Sequence, residues 1–156
     1  MRRSLFVGVF LALVVAAVAF AQGKPDFSGT WTPEQSQAAP GGGGGRGMGS
    51  APMTITQTDK TLTVERKMGE MSMKSVYNLD GTESKNEIMG RGGQAMTSTS
   101  TAKWEGSKLV INTKSETPNG PRETTQTWSL TSDGKLQIEQ PGRDGTMQTR
   151  TYTKSK

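Results

Sequence analysis

Three thioethers in the run KMGEMSM, Met68, Met71 and Met73, are the side chains of this 156-residue chain whose type and spacing first suggest chemistry. Thioethers are soft ligands that suit Cu(I). No imidazole or thiolate stands by to complete such a site, because the chain has no His and no Cys. Met71 and Met73 also share one face of a strand, where long unbranched side chains fill core space. The three methionines are candidate copper ligands, but packing accounts for them more simply, and no metal or other cofactor is expected.

Catalysis meets the same shortage. Without His there is no imidazole base, and the many Ser and Thr hydroxyls have no partner to activate them. A pair of carboxylates could hydrolyse a glycoside. Most of the acidic residues, however, fall at turns and on strand faces expected to be solvated, and no spacing singles out two of them. The chain reads as non-catalytic. The remaining residues of interest are large and planar: Trp31, Trp104, Trp128 and the guanidinium of Arg150.

What positions them begins after a leader. Met1-Arg2-Arg3 is a short basic stretch, Ser4 to Phe20 is almost wholly apolar, and Ala19-Phe20-Ala21 has the small-x-small form of a cleavage site. Residues 1–21 are therefore expected to be a signal peptide, helical until it is removed, and the mature chain to begin at Gln22. The apolar run is short for a membrane span, which needs about 20 residues. A secreted or periplasmic location follows. Loss of Arg2 and Arg3 lowers the formal charge from +5 to +3. That charge is dispersed, so neither it nor the two Arg-Gly pairs at Arg46 and Arg91 argue for nucleic acid. With no disulfide available, strand pairing and packing must supply the stability.

Residues 22–156 read as a single domain. Residues 33–52, centred on PGGGGGRGMGSAP, form a Gly-rich loop. On either side the chain alternates apolar and polar residues, is rich in Thr, and is punctuated by Gly, Asp, Asn and Pro. The expected strands are Phe27–Thr32, Met53–Thr58, Thr61–Lys67, Met71–Leu79, Thr82–Met89, Ala95–Trp104, Lys108–Glu116, Arg122–Leu130, Lys135–Gln140 and Thr146–Lys154. Asp80-Gly81 and Asp133-Gly134 are hairpin turn signals. Alternation turns Met96, Ser98, Ser100, Ala102 and Trp104 to one face, and Thr124, Gln126, Trp128 and Leu130 likewise. Leu62 with Val64, Leu109 with Ile111 and Leu136 with Ile138 complete the inward set. An antiparallel meander of eight to ten strands leaves two edges, and closure into a barrel removes them.

Gly29-Thr30-Trp31 on the first strand of such a chain resembles the lipocalin signature. The wider pattern DFSGTW, KWEGSKLVI, WSLTSDGKLQIE and TYTK is similar to small secreted bacterial lipocalin-like domains of unknown function, over most of residues 26–154. The chain departs from lipocalins in having no disulfide, no second lipocalin motif and no helix after the last strand. The resemblance implies that Trp31 packs at the closed end beneath an Arg of the last strand. Arg150 is the nearest match and Arg143 the second. Trp31, Arg150, Trp104 and Trp128 are thus the expected ligand-binding or barrel-closing residues. Two functions fit: a binding module holding a small apolar or amphipathic ligand, or an envelope interaction module whose barrel is filled by its own side chains. Neither needs a membrane span once the leader is gone.

Overall fold

A computed structural model describes residues 23–34, 51–68, 71–89, 95–117, 120–142 and 145–155. The leader, nearly all of the Gly-rich loop and Arg143 lie outside the described residues. Among those described, ten strands run in order: β1 (Gly29–Pro33), β2 (Met53–Gln57), β3 (Thr61–Met68), β4 (Met71–Asn78), β5 (Ser84–Met89), β6 (Ala95–Glu105), β7 (Lys108–Thr117), β8 (Gly120–Leu130), β9 (Leu136–Pro141) and β10 (Met147–Lys154). No described helix is long and apolar enough to cross a membrane.

All ten strands belong to one antiparallel sheet, ordered β4-β3-β2-β1-β10-β9-β8-β7-β6-β5. Each strand pairs with its sequence neighbour except at two places. β1 pairs with β10, Trp31 facing Lys154 and Pro33 facing Tyr152, so the chain's two ends are stitched together. β4 and β5 form the two margins of the sheet and are not paired as a ladder. The expected hairpin at Asp80-Gly81 is therefore corrected: the chain turns there, but the strands on either side do not zip.

A side chain bridges that seam instead. The amide of Asn86 accepts a hydrogen bond from the Val76 N–H at 2.7 Å and donates one to the Val76 carbonyl at 2.9 Å. A carboxamide carries the same donor and acceptor as a peptide group, so Asn86 offers β4 what a neighbouring strand would. The Asn78 amide adds a bond to the Glu83 carbonyl at 3.1 Å. The result is a nearly closed barrel with one unzipped seam.

The two-residue period decides what faces in. Leu62, Val64, Ala102, Leu109, Ile111, Trp128, Leu136, Ile138 and Tyr152 are all buried, as alternation requires. Thr predominates on the outward positions of β1, β2 and β10, where a β-branched side chain suits a pleated, solvated face. The inward positions are not uniform along the barrel. The end holding the β2–β3, β4–β5, β6–β7 and β8–β9 connections is packed with aromatic and aliphatic side chains. Towards the other end the inward residues become Ser98, Ser100, Thr113, Ser115, Thr124, Gln126, Gln140, Arg66 and Arg150.

Candidate functional site

The packed end is built around Phe27, which lies before β1 rather than within it. Its ring stacks on Trp104 with centroids 5.7 Å apart and planes 9° apart, and meets Trp128 edge-on at 6.1 Å. It is fully buried. The Gln57 side chain holds this lead in place. It accepts from the Phe27 N–H at 3.0 Å and donates to the Pro25 carbonyl at 3.0 Å. The Trp31 indole N–H donates to the Phe27 carbonyl at 2.8 Å. The lead is thus fixed as a plug, and Trp31, Trp104 and Trp128 are brought to one end of the barrel.

The cation over Trp31 is Lys154. Its Nζ stands 5.6 Å from the indole centroid, on the residue that pairs with Trp31 across the β1–β10 seam. Arg150, the residue expected in that place, pairs with Ile138 on β9 and faces inward four residues back along the strand. At about 3.4 Å per residue that is roughly 14 Å from Lys154. The physical reason for a basic group above Trp31 holds, but register gives the position to Lys154. Gly29 makes the approach possible. A Cβ there would meet Lys154 Cε, and its φ of +133° is one that residues with a side chain rarely adopt.

Trp128 begins a polar relay towards the other half. Its indole N–H donates to Gln126 Oε1 at 3.1 Å, and the Gln126 amide donates to Gln140 Oε1 at 2.9 Å. Trp104 differs from the other two tryptophans. Its Nε1 is shut off from solvent and has no hydrogen-bond partner among the described residues.

Arg66 was not foreseen as a site residue. It follows Leu62 and Val64 on the inward face of β3, so alternation alone marks it. Among the described residues its Nε is buried without a partner, and Nη2 donates to the Met53 thioether at 3.5 Å. Tyr77 lies nearby on β4. Burial pushes its phenol pKa up, while the positive charge of Arg66 pulls the other way. Every carboxylate among the described residues lies in the lead, at a turn or strand end, or on an outward strand position. Among the described residues, therefore, no acidic side chain faces inward beside Arg66 and Arg150. As for the candidate copper ligands, β3–β4 register pairs Met68 with Met71, and Met73 with Arg66.

The comparisons bear on this geometry as fold. No protein-family model matches the chain, and no curated protein matches it. Among solved structures the chain is similar to one titled "REP1-NXSQ fatty acid transporter", with a TM-score of 0.56 and 12% sequence identity. That match covers 83% of this chain and 96% of the other. At this identity the likeness is one of barrel architecture.

Proposed function

We propose that the chain is an exported, non-catalytic, lipocalin-like module that binds a small amphipathic ligand with an anionic head group. The observation that carries this reading is the charge pattern of the inward face: Arg66 and Arg150 turn in, and the described acids turn out. A guanidinium taken partly out of water without a counter-charge is costly, and an anion supplies that charge with two parallel hydrogen bonds. The apolar part of such a ligand would lie against the aliphatic inward residues of β2, β3 and β9. The barrel's likeness to a fatty acid transporter supports the same ligand class.

The test is titration of delipidated protein with dodecanoate, followed by calorimetry and native mass spectrometry. A saturable one-to-one complex is expected. The second reading, an interaction module with a filled barrel, draws on the close packing of Phe27, Trp104 and Trp128 at one end. Absence of any complex below the micellar limit of dodecanoate overturns the binding reading and favours the second.

A further inference from the structure

Trp128, Gln126 and Gln140 form a hydrogen-bonded line with a fixed direction. An indole N–H can only donate. The Trp128 N–H donates to Gln126 Oε1 at 3.1 Å, so that carboxamide turns its oxygen to the indole and its NH2 away. The NH2 donates in turn to Gln140 Oε1 at 2.9 Å. Flipping Gln126 would set its NH2 against the indole N–H, and flipping Gln140 would set two NH2 groups together. The indole at the packed end therefore orients both glutamines, and Gln140 Nε2 is left at the far end of the line. Each bond polarises the next, which strengthens that last donor.

The free end of the line is within reach of a ligand. Gln140 is half-buried and follows Ile138 on the inward face of β9. Its Nε2 has no hydrogen-bond partner among the described residues. It is not shut off from solvent, as the unpartnered Arg66 Nε and Trp104 Nε1 are. Gln148 faces Gln140 across the β9–β10 ladder and is exposed. Arg150, the next inward residue of β10, pairs with Ile138 and is half-buried. Diagonal neighbours of this kind lie about 7–8 Å apart, so two long side chains can meet one small group between them. This stretch of wall thus presents donors, an amide N–H beside a guanidinium, while the carboxamide oxygens are turned to bonds within the line.

We propose, resting on the barrel-binding reading, that Gln140 is the specificity-determining residue for the ligand's head group: its Nε2 donates to a carboxylate oxygen beside Arg150, and Trp128 sets the direction of that donor through Gln126. A carboxylate offers acceptors alone and fits such a wall. A quaternary ammonium offers none and meets the guanidinium as a like charge, so the same groups reject it.

The Gln140 side-chain NH2 signals and the indole N–H signals of a ¹H–¹⁵N spectrum test this. Butanoate probes the head group alone, dodecanoate the head group with its chain, and dodecyltrimethylammonium the chain without an acceptor. Both anions should move the Gln140 signals saturably and, through the line, the Trp128 signal. The Trp31 N–H, bonded to the Phe27 carbonyl, should stay still with butanoate. Equal movement of Gln140 by the cation overturns the proposal. Gln140→Glu keeps an acceptor for Gln126 and offers the ligand no donor. Gln140→Leu adds no charge but leaves the Gln126 NH2 unpaired. Each should weaken dodecanoate binding roughly tenfold or more, and each should abolish the Trp128 response to butanoate while Trp128 still donates to Gln126. Wild-type affinity for dodecanoate in both variants overturns the proposal and leaves the barrel-binding reading intact. If dodecanoate forms no complex but butanoate moves Gln140, the barrel-binding reading falls and the donor seat stands. Failure of both anions to move Gln140 overturns the proposal.

Discussion

Asn86 holds the Val76 peptide group by both its N–H and its carbonyl, at 2.7 Å and 2.9 Å. β4 and β5 meet nowhere else as a backbone ladder, so this one side chain is the principal clasp of the barrel seam. Asn86 is itself 7% exposed, so its bonds are made largely out of water, where leaving a partner unmade costs most.

Replacing Asn86 by Ala removes both bonds and leaves the Val76 groups short of partners. The expected loss is about 2 kcal/mol, from two bonds of about 1 kcal/mol each. Asn86→Asp keeps an acceptor for the Val76 N–H but faces a carboxylate to the Val76 carbonyl, and should lose at least as much. Denaturant unfolding measures the loss. Hydrogen exchange locates it, since the Val76 amide should lose protection before amides of β7 and β8. Equal protection in wild type and Asn86→Ala would show that the seam does not depend on the clasp.

Gly29 and Lys154 should behave as a coupled pair. Gly29→Ala places a methyl against the end of the Lys154 side chain at a φ of +133°, and the strained backbone costs about 1–3 kcal/mol. Lys154→Ala removes the ammonium over Trp31, worth about 0.5–1 kcal/mol at an exposed site. In the Lys154→Ala background the steric part of the Gly29→Ala cost disappears and only the backbone part remains. A double-mutant cycle by thermal or urea unfolding should therefore show Gly29→Ala costing less when Lys154 is absent. Strict additivity rejects the contact.

These pairs show how far the sequence could be read. Alternation along β3, β6, β7, β8 and β9 identified the inward residues, because one buried face fixes the period. The stitching of β1 to β10 followed from the need to remove edges. Alternation could not fix register. Arg150 and Lys154 are both inward residues of β10, and which one meets Trp31 depends on where β10 starts pairing with β1. The seam was hidden for a related reason. A turn at Asp80-Gly81 between two alternating runs has every mark of a hairpin, and the side chain that takes the place of the ladder lies eight residues beyond the end of β4. Phe27 reads from the sequence as the start of a strand, whereas β1 begins at Gly29. The bonds from Gln57 that make it a plug come from thirty residues away.

The plug should respond to acid. Ser28 bonds hold the Asp26 carboxyl below its ordinary pKa of about 3.8 in the folded chain. A depressed carboxylate contributes stability that is present above the unfolded pKa and fades as pH falls through the folded one. Stability of the lead should therefore be level from neutral pH down to the ordinary carboxylate range and decline below it. The Trp31 indole N–H, bonded to Phe27, reports on the lead. Its exchange rate should rise below that range in wild type. In Asp26→Asn this Asp26-linked acid dependence should be absent. An acid response identical in both proteins would assign it to other carboxylates.

Arg66 provides the sharpest separation of stability from binding. Among the described residues its Nε is buried without a partner and its Nη2 donates to a thioether, so no described group compensates its charge in the unliganded barrel. Replacing such a group with an apolar one of similar length is often neutral or stabilising. Arg66→Met should accordingly leave unfolding stability unchanged or raise it by up to about 1 kcal/mol. The same change removes a charged hydrogen-bond donor from the proposed anionic head group, a contact worth about 1.5–3 kcal/mol. Dodecanoate affinity should then fall at least about tenfold while the protein becomes no less stable. Arg66→Lys keeps the charge but not the planar fork, and should recover only part of the affinity. If Arg66→Met is instead strongly destabilised and binds dodecanoate as well as wild type does, the guanidinium is a structural group and the head group lies elsewhere, with Arg150 as the next inward guanidinium to examine.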